Sequence, residues 1–497
     1  MVNILDCTFR DGGYYNDWDF SEKVISDYIS NISLLPIEYI EIGYISNADN
    51  GYYGKLYFID DNIINQFKKA NKKIAVMVDV KNFNEELKLK ITSLVDQVDL
   101  FRFAINYNDL DSAIDLIKSL KIPRNKIALN FMYLSEWFEN QKIISEIKKI
   151  EFAEYIYLVD SYGSCFPDEL SNIISALKQK TNYKLGFHAH NNLELAFANT
   201  LRAIKDGIDI IDSTFQGMGR GAGNLKTENI LAFYALKEKV DIDIQALGDL
   251  TESFNPLKER FNWGSNFSYV LAGLLSYPQS KVMKMLSQRF LSLKSIVSKI
   301  LGVEKNISLF HELFEKRLIP NIYSKILFIG GGESVKNHSE AINSWIKKHN
   351  AFVVFISSKH SELINFKYDK SLFSIHGKEL NRLPNEFLNK STFFVSSNSN
   401  KLETNVEKIS PSRIITLNPD YERFSDSIVE SSIQLVINSG YNSIYLVGFD
   451  GYINNSIKQS ISLENQNIFD FYCNHIDLIS LTPTDYNSLI KKSIYGG

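Results

Sequence analysis

The sequence predicts an α/β protein: a (β/α)8 TIM barrel, a helical appendage, and a second, smaller Rossmann-like α/β domain. Three observations carry this. Eight short runs rich in Ile, Val, Leu and Phe recur through the first 215 residues, each followed by a polar or amphipathic stretch long enough for a crossover helix. Between residues 236 and 320 the pattern turns helical, and at residue 324 a new strand opens, followed by a run of glycines. A chain of 497 residues is too long for one ordinary domain. The boundaries drawn from these shifts are 1–235, 236–320 and 321–497, with Pro320 and Asn321 marking the last.

The eight runs are 3–9, 39–44, 73–80, 99–106, 126–133, 154–161, 184–190 and 208–215. The stretch 109–120 shows the helical alternative between them, with Leu110, Ala113, Ile114, Ile117 and Leu120 on one face. Eight parallel strand–helix units favour a closed barrel over the rival, an open doubly wound sheet of similar composition. Residues 287–301 illustrate the amphipathic appendage. In the last domain, strands are expected at 325–329, 352–357, 392–396, 413–417 and 443–448.

Composition excludes several classes. Lys and Arg number 54 against 58 Asp and Glu, a formal charge of -4, which lacks the basic excess of a nucleic-acid binder. No apolar run reaches the roughly 18 residues of a membrane span. The N-terminal segment MVNILDCTFRDGGYYND lacks the pattern of a signal peptide. Cys7, Cys165 and Cys473 are far apart and odd in number, which suits free thiols in a reducing cytoplasm.

The chemistry gathers in three places. His188 and His190 are the only histidines of the first 310 residues. Two positions apart on a strand, they face one side, at the end where barrels carry their active sites. Paired imidazoles suit a divalent metal, although an isolated HxH is more often a pair of ordinary polar residues. The run Asp6-Cys7-Thr8-Phe9-Arg10-Asp11-Gly12-Gly13 ends strand one. Only strand eight separates it from strand seven in a closed barrel, so Asp11 can complete a two-His, one-carboxylate site. Arg10 offers a planar cation to a carboxylate or enolate oxygen; read alone, it is a salt-bridged turn. After strand eight, Gln216-Gly217-Met218-Gly219-Arg220-Gly221-Ala222-Gly223-Asn224 allows close approach of backbone to a ligand, and Asn224 brings an amide oxygen. This loop lacks the Lys-Ser/Thr ending of a P-loop.

Together these pieces, in this order, resemble the DRE-TIM metallolyase superfamily, whose branches include 4-hydroxy-2-oxovalerate aldolases, hydroxymethylglutaryl-CoA lyases and isopropylmalate synthases. The resemblance spans roughly residues 1–235. It implies Asp11, His188 and His190 as metal ligands, Asn224 as an additional one, and Arg10 as the enolate-stabilising arginine. Asp160-Ser161-Tyr162-Gly163 resembles the strand-six signature, and Glu41 and Arg102 match polar site positions. The expected assignments are catalytic Arg10, Tyr14, Glu41 and Tyr162, and substrate-binding Arg102, Asp160, Gly221 and Gly223. The aldolase branch places a catalytic His three residues after the metal Asp; here that residue is Tyr14. Tyr14, Tyr162 or a metal-bound water is the candidate base, and a tyrosine needs a nearby cation for that task. The glycine-loop Cys of the lyase branch has no counterpart, since no Cys lies between Cys165 and Cys473.

The implied chemistry is aldol-type. Mn2+, Mg2+ or Zn2+ chelates a pyruvate-like 2-oxo acid and steadies the enolate, Arg10 adds positive charge, and a base handles the proton on the aldehyde or acyl partner. The alternatives are a Claisen-type acyl-CoA condensing synthase on the same ligands and a non-catalytic relic barrel serving as a scaffold.

In the last domain, Ile326–Lys336 and Tyr445–Tyr452 resemble bacterial sialyltransferase-like proteins. That implies a nucleotide or nucleotide-sugar partner and a setting in surface-glycan biosynthesis, with Gly330, Gly331, Gly332 and Ser334 candidates for holding a phosphate. A ligand-free scaffold is the plain alternative. His338, His360 and His376 are scattered and read as surface or core residues. A homo-oligomer is expected.

Overall fold

The computed structural model describes the chain apart from residues 49–50, 81–82, 138–139, 179–182, 288–292, 303–318, 320–321, 376–378, 380–381, 397–413, 418–426, 453–455 and 497. The chain folds into two compact units, residues 1–283 and 284–497. Among the described residues no helix is long and apolar enough to cross a membrane.

The first unit is a closed barrel of eight parallel strands: β1 (Asn3–Asp6), β2 (Tyr39–Ile45), β3 (Lys73–Val78), β4 (Leu100–Ile105), β5 (Ile127–Phe131), β6 (Tyr155–Asp160), β7 (Lys184–Ala189) and β8 (Ile210–Ser213). It closes where Asn3 pairs with Ile210 and Asp6 with Ser213. Seven of the strands lie within one of the eight apolar runs, and β2 overruns its own by one residue, Ile45. The first run was expected to stay extended to Phe9, but β1 stops at Asp6 and a short helix, Thr8–Gly12, follows. Asp6 forces that turn by accepting from both the N–H and the hydroxyl of Thr8.

Alternation along each strand sorts the side chains. Ile4, Ile40, Ile74, Phe101, Phe103, Leu129, Ile156 and Phe187 point outward into the core shared with the helices. Leu5, Tyr39, Ala75, Leu100, Ala128, Tyr155, Tyr157 and Ile210 fill the interior. A Cβ on Gly186 would lie 2.6 Å from the Tyr157 ring, so glycine there makes room for an interior tyrosine. Two residues further along their strands, the inward positions become Glu41, Arg102, His188 and Asp212, all buried. The interior thus changes from hydrocarbon to charge one layer below the mouth.

The register between β2 and β3 slips between Glu41 and Tyr44, where Gly43 has φ +151. Strict alternation would send Tyr44 to the outer layer. The bulge instead leaves Ile42 and Ile45 both in the outer core and frees Tyr44 for the mouth. Beyond β8, the helices Thr227–Leu236 and Ile244–Ser253 complete the ring, the latter packing on Glu22–Ile32. The helices expected as an appendage therefore divide: Ile244–Ser253, Asn255–Phe261 and Phe267–Leu274 fall in the first unit, and Leu293–Leu301 in the second. Pro320 and Asn321, the expected boundary, lie outside the described residues, as do His376 and part of 287–301.

The second unit is built on a parallel sheet of β9 (Ile326–Ile329), β10 (Phe352–Phe355), β11 (Ser371–Ser374), β12 (Phe393–Ser396), β13 (Ile414–Leu417), β14 (Ser443–Val447), β15 (Asp477–Ser480) and β16 (Ile490–Lys491). Its spatial order is β13-β12-β11-β10-β9-β14-β15-β16, so the direction of progression reverses between β9 and β14. The strands β11, β15 and β16 were not expected. Serines end β11 and a charge opens β15, which hides short apolar centres, and β16 has only two residues.

Candidate metal centre and active site

The short helix after β1 carries Arg10 and Asp11 over the mouth. It is pinned from below, because the Thr8 hydroxyl also accepts from the Phe215 N–H at 2.9 Å. From the far side of β8 come His188 at the end of β7 and His190 just past it, where an isolated bridge pairs it with Asn224. The Asp11 Oδ2 lies 3.8 Å from His188 Nε2 and 4.0 Å from His190 Nε2. The Asn224 amide nitrogen donates to the same oxygen at 2.5 Å. Bonds of about 2.1 Å to one metal ion imply ligand separations of roughly 3–3.5 Å, so the Asp11 oxygen stands within about an ångström of a ligand's distance from each imidazole nitrogen.

The outward partners of the two rings fix their tautomers. His190 Nδ1 faces the Asp160 carbonyl oxygen at 2.8 Å, which only accepts, so Nδ1 carries the proton and Nε2 presents its lone pair. Among the described residues that Nε2 is buried with no hydrogen-bond partner, and so is the Asn224 Oδ1. His188 Nδ1 faces the Asp212 carboxylate at 2.8 Å, which turns its Nε2 inward in the same way. Burial, reinforced by the neighbouring His188, pushes His190 down to about 3. Burial pushes the Asp11 carboxyl up, but Arg10, His188 and His190 outweigh it and hold it below the usual carboxylate range. A neutral imidazole, an ionised carboxylate and two orphaned acceptors are the states a divalent cation requires. A Cβ on Gly219 would fall 2.4 Å from the Asn224 nitrogen and 2.6 Å from Asp11 Oδ2, so this glycine keeps the centre open.

Beneath the centre runs a buried chain of charges. Arg10 donates to Asp11 at 2.5 Å and to Glu41 Oε2 at 2.8 Å. Arg102 donates to that same Glu41 oxygen at 2.8 Å and to Asp212 at 2.5 Å, its guanidinium 4.2 Å from the Tyr157 ring. Arg10 and Arg102 thus alternate with Asp11, Glu41 and Asp212 in a dry interior, and Arg220, which also acts on Asp11, brings the count to three cations against three carboxylates. Cys7, His188 and Asp212 also lie close enough to suggest a metal group. Asp212 is already paired with Arg102, which would repel a cation there.

Several expected roles change. Arg102 was expected to bind substrate, but it is fully buried and engaged by two carboxylates below the mouth. Glu41, expected as catalytic, holds Arg10 and Arg102 instead of facing the opening. Asp160, expected to bind substrate, turns its carboxylate onto the N–H groups of Ser164 and Cys165 and aligns His190 through its carbonyl. Burial raises its pKa to about 6. Gly221 and Gly223 close their own loop: a Cβ on Gly221 would strike Gln279, and one on Gly223 the Gly217 carbonyl. The Tyr162 hydroxyl donates to Glu136 at 3.1 Å on the exposed rim.

Arg10 keeps its expected place at the mouth, with no hydrogen bond to its Nη2 among the described residues. Tyr14 is there as well, its hydroxyl 3.0 Å from that of Tyr44. Both tyrosines line a cavity of about 760 Å3 together with Trp18, Tyr57, Tyr133 and Arg220. Sequence reasoning missed Asp212, Tyr44 and Arg220. Asp212 left a signal, a carboxylate directly after Ile210 and Ile211 in a strand, and Arg220 left another, a charge inside a glycine run. Tyr44 left none apart from the adjacent Gly43, because its direction depends on the bulge.

Residues 1–253 match the family model described as HMGL-like. The chain belongs to the HMGL-like family. It is similar to the 4-hydroxy-2-oxovalerate aldolase of Pelotomaculum thermopropionicum, 28% identical over 287 residues, covering 55% of this chain and 83% of that one. The 4-hydroxy-2-oxovalerate aldolase of Bacillus cereus is likewise 28% identical over 260 residues, covering 50% of this chain and 75% of that one. Among solved structures, the N-terminal domain of a protein assigned as an aldolase from Bacteroides vulgatus is 38% identical, with a TM-score of 0.56, covering 60% of this chain and all of that one. The barrel of this HMGL-like protein is that of an enzyme of the DRE-TIM metallolyase superfamily, of aldolase/lyase type.

In the second unit, Gly330 and Gly331 line a crevice of about 450 Å3 with Gly448–Tyr452, at the point where the strand order reverses. The phosphate expected beside Ser334 meets a carboxylate instead. Asp450 accepts from the Ser334 N–H at 2.9 Å and from its hydroxyl, and a Cβ on Gly332 would fall 2.4 Å from that carboxylate. The donors that would cradle an anion are already occupied by one.

Proposed function

We propose that the barrel makes or breaks a carbon–carbon bond next to a pyruvate-like 2-oxo acid. The observation that carries this is the convergence of Asp11 with two imidazoles whose partners force both Nε2 atoms toward it, at 3.8 and 4.0 Å. Asp11, His188 and His190, with the Asn224 oxygen, would hold a divalent cation, Mn2+, Mg2+ or Zn2+, which supplies Lewis acidity to the oxo-acid oxygens.

The remaining work falls to the chain itself. Arg10, fixed by Asp11 and Glu41 through Nη1 and Nε, turns its Nη2 edge toward the oxygen that gains charge in the enolate. Glu41 acts through Arg10 and is a positioning residue. The Tyr14 hydroxyl, paired with that of Tyr44, is the candidate for moving the proton on the partner's oxygen. Burial, followed by Tyr14, raises Tyr44 well above an ordinary tyrosine, which suits it to remain the neutral donor of the pair. The aromatic walls exclude water from the enolate.

The test is exchange of pyruvate methyl protons in deuterated water with added Mn2+. Exchange that EDTA abolishes is expected. Absence of exchange in metal-loaded wild type would favour the relic-barrel reading, and release of free coenzyme A from acetyl-CoA would move the assignment to a Claisen synthase. For the second unit, the reading compatible with Asp450 is recognition of a sugar or base in its crevice, with no phosphate held at Ser334.

A further inference from the structure

Three arginines stand at or just below the barrel mouth, and one differs from the others. Arg10 and Arg102 are each paired with carboxylates. Arg220 carries no ion pair among the described residues. Its contact is with a ring: the guanidinium carbon lies 4.7 Å from the centroid of Tyr14. The loop that presents it is stiff, since the Asn224 N–H donates to the Gly217 carbonyl at 3.1 Å and the Gly223 N–H to the Arg220 carbonyl at 3.3 Å. The residue before it, Gly219, abuts Asp11 and Asn224. A partly buried cation that feels Asp11 but makes no direct ion pair with it, held on a rigid loop beside a candidate metal centre, is poised for an anion that arrives with a ligand.

The cavity beside it indicates which ligand. Its volume of about 760 Å3 lies in the range of sites for molecules of drug size and far exceeds what a two-carbon aldehyde needs. One wall is aromatic: Tyr53 and Tyr57 stack at 4.3 Å, and Trp18 meets Tyr57 at 4.6 Å and Tyr44 at 5.4 Å. Such surfaces suit a carbon skeleton lying flat against them. The small oxo acid is accounted for by the centre at Asp11 and by Arg10, so the cavity and Arg220 remain for its partner.

We propose that the acceptor of this barrel is an extended aldehyde bearing an anionic group, carboxylate or phosphate, which Arg220 binds while the chain lies along the tyrosine wall. The inference rests on the aldolase reading. In the condensing direction, the methyl carbon of the oxo acid loses a proton and bonds to the aldehyde carbonyl carbon, whose oxygen gains a proton; no oxidant or reductant is consumed.

The test compares kcat/KM for erythrose 4-phosphate with erythrose, and for succinic semialdehyde with butyraldehyde, using the metal-loaded full chain and pyruvate. Ratios within one variant cancel any general loss of activity. At least one charged member should exceed its neutral partner by about tenfold or more in wild type; Arg220→Gln should bring the ratio near one, and Arg220→Lys should keep part of it. The first pair reports phosphate and the second carboxylate. Ratios near one in wild type, or ratios that survive Arg220→Gln, would overturn the proposal. So would a raised KM for pyruvate with the ratios intact, which would assign Arg220 to the oxo acid. Calorimetric binding of erythrose 4-phosphate and succinic semialdehyde needs no turnover. If proton exchange fails, the aldolase reading falls, and calorimetry still decides whether Arg220 binds an anion; if exchange succeeds and neither charged aldehyde binds, this inference alone falls.

Discussion

The mouth of the barrel and the crevice of the second sheet are both places where parallel strands end and polar groups gather. They resolve the gathering differently. In the crevice, Ser334 is answered by Asp450, and the hydroxyls of Ser357 and Ser358 by Glu379. At the mouth, His190 Nε2 and Asn224 Oδ1 are buried without hydrogen-bond partners among the described residues. Buried polar groups ordinarily find partners inside the protein. A cluster that leaves its acceptors unanswered marks where a ligand completes the structure, whereas a self-satisfied cluster marks an architectural joint. A glycine-rich turn by itself does not separate the two cases.

The largest effect tests the mouth. His188→Ala should lower bound metal below a tenth of wild type and proton exchange by about a thousandfold or more; metal retained at wild-type occupancy would break the contrast. Arg10→Lys should cost about a hundredfold in turnover with metal content nearly unchanged, because Lys lacks the planar fork that meets Asp11, Glu41 and the substrate together. Equal activity would remove Arg10 from the chemistry.

A pH experiment sharpens the same point without turnover. Burial, reinforced by His188, pushes His190 down to about 3 in the folded protein from the ordinary 6.5. Between those values the unfolded chain binds a proton that the folded chain refuses, so this residue's contribution is present above pH 6.5 and is lost as pH falls toward 3. Metal-free wild type should lose roughly 2–3 kcal/mol more than His190→Gln between pH 7.5 and 4.5 in urea unfolding. Burial raises Asp6 and Asp160 to about 6, which acts in the opposite direction over part of this window, so the difference between variants is the quantity to read. Equal losses would mean that His190 is not held neutral. The smallest effect belongs to the crevice: Asp450→Ala should cost about 1 kcal/mol by uncapping Ser334, seen as a lower melting temperature of the second unit. An unchanged melting temperature would remove the architectural role.

The barrel was legible because its eight strands, covered on both faces, must be apolar throughout, and that constraint is local. The ligands were legible because Asp11, His188, His190 and Asn224 sit at or just beyond the ends of strands whose order fixes who meets whom. The errors share one cause. Arg102, Glu41 and Asp160 read as site residues because they match polar positions of the resembled family, but sequence does not say how deep along the barrel axis a side chain stops. Arg102 stops one layer too low to touch a substrate and serves the ligands from beneath. The Asp450 cap pairs residues 116 positions apart in the chain, beyond any local pattern.

Periodicity was enough to predict the closed barrel, since it follows from apolar strands and their order around a ring, and the family motifs were enough to single out Asp11, His188, His190 and Asn224 as candidate ligands. The bulge at Gly43 that turns Tyr44, the burial of Arg102 and the solitary charge of Arg220 were decided only by tertiary structure. Each depends on which distant group fills, or leaves empty, the space next to it.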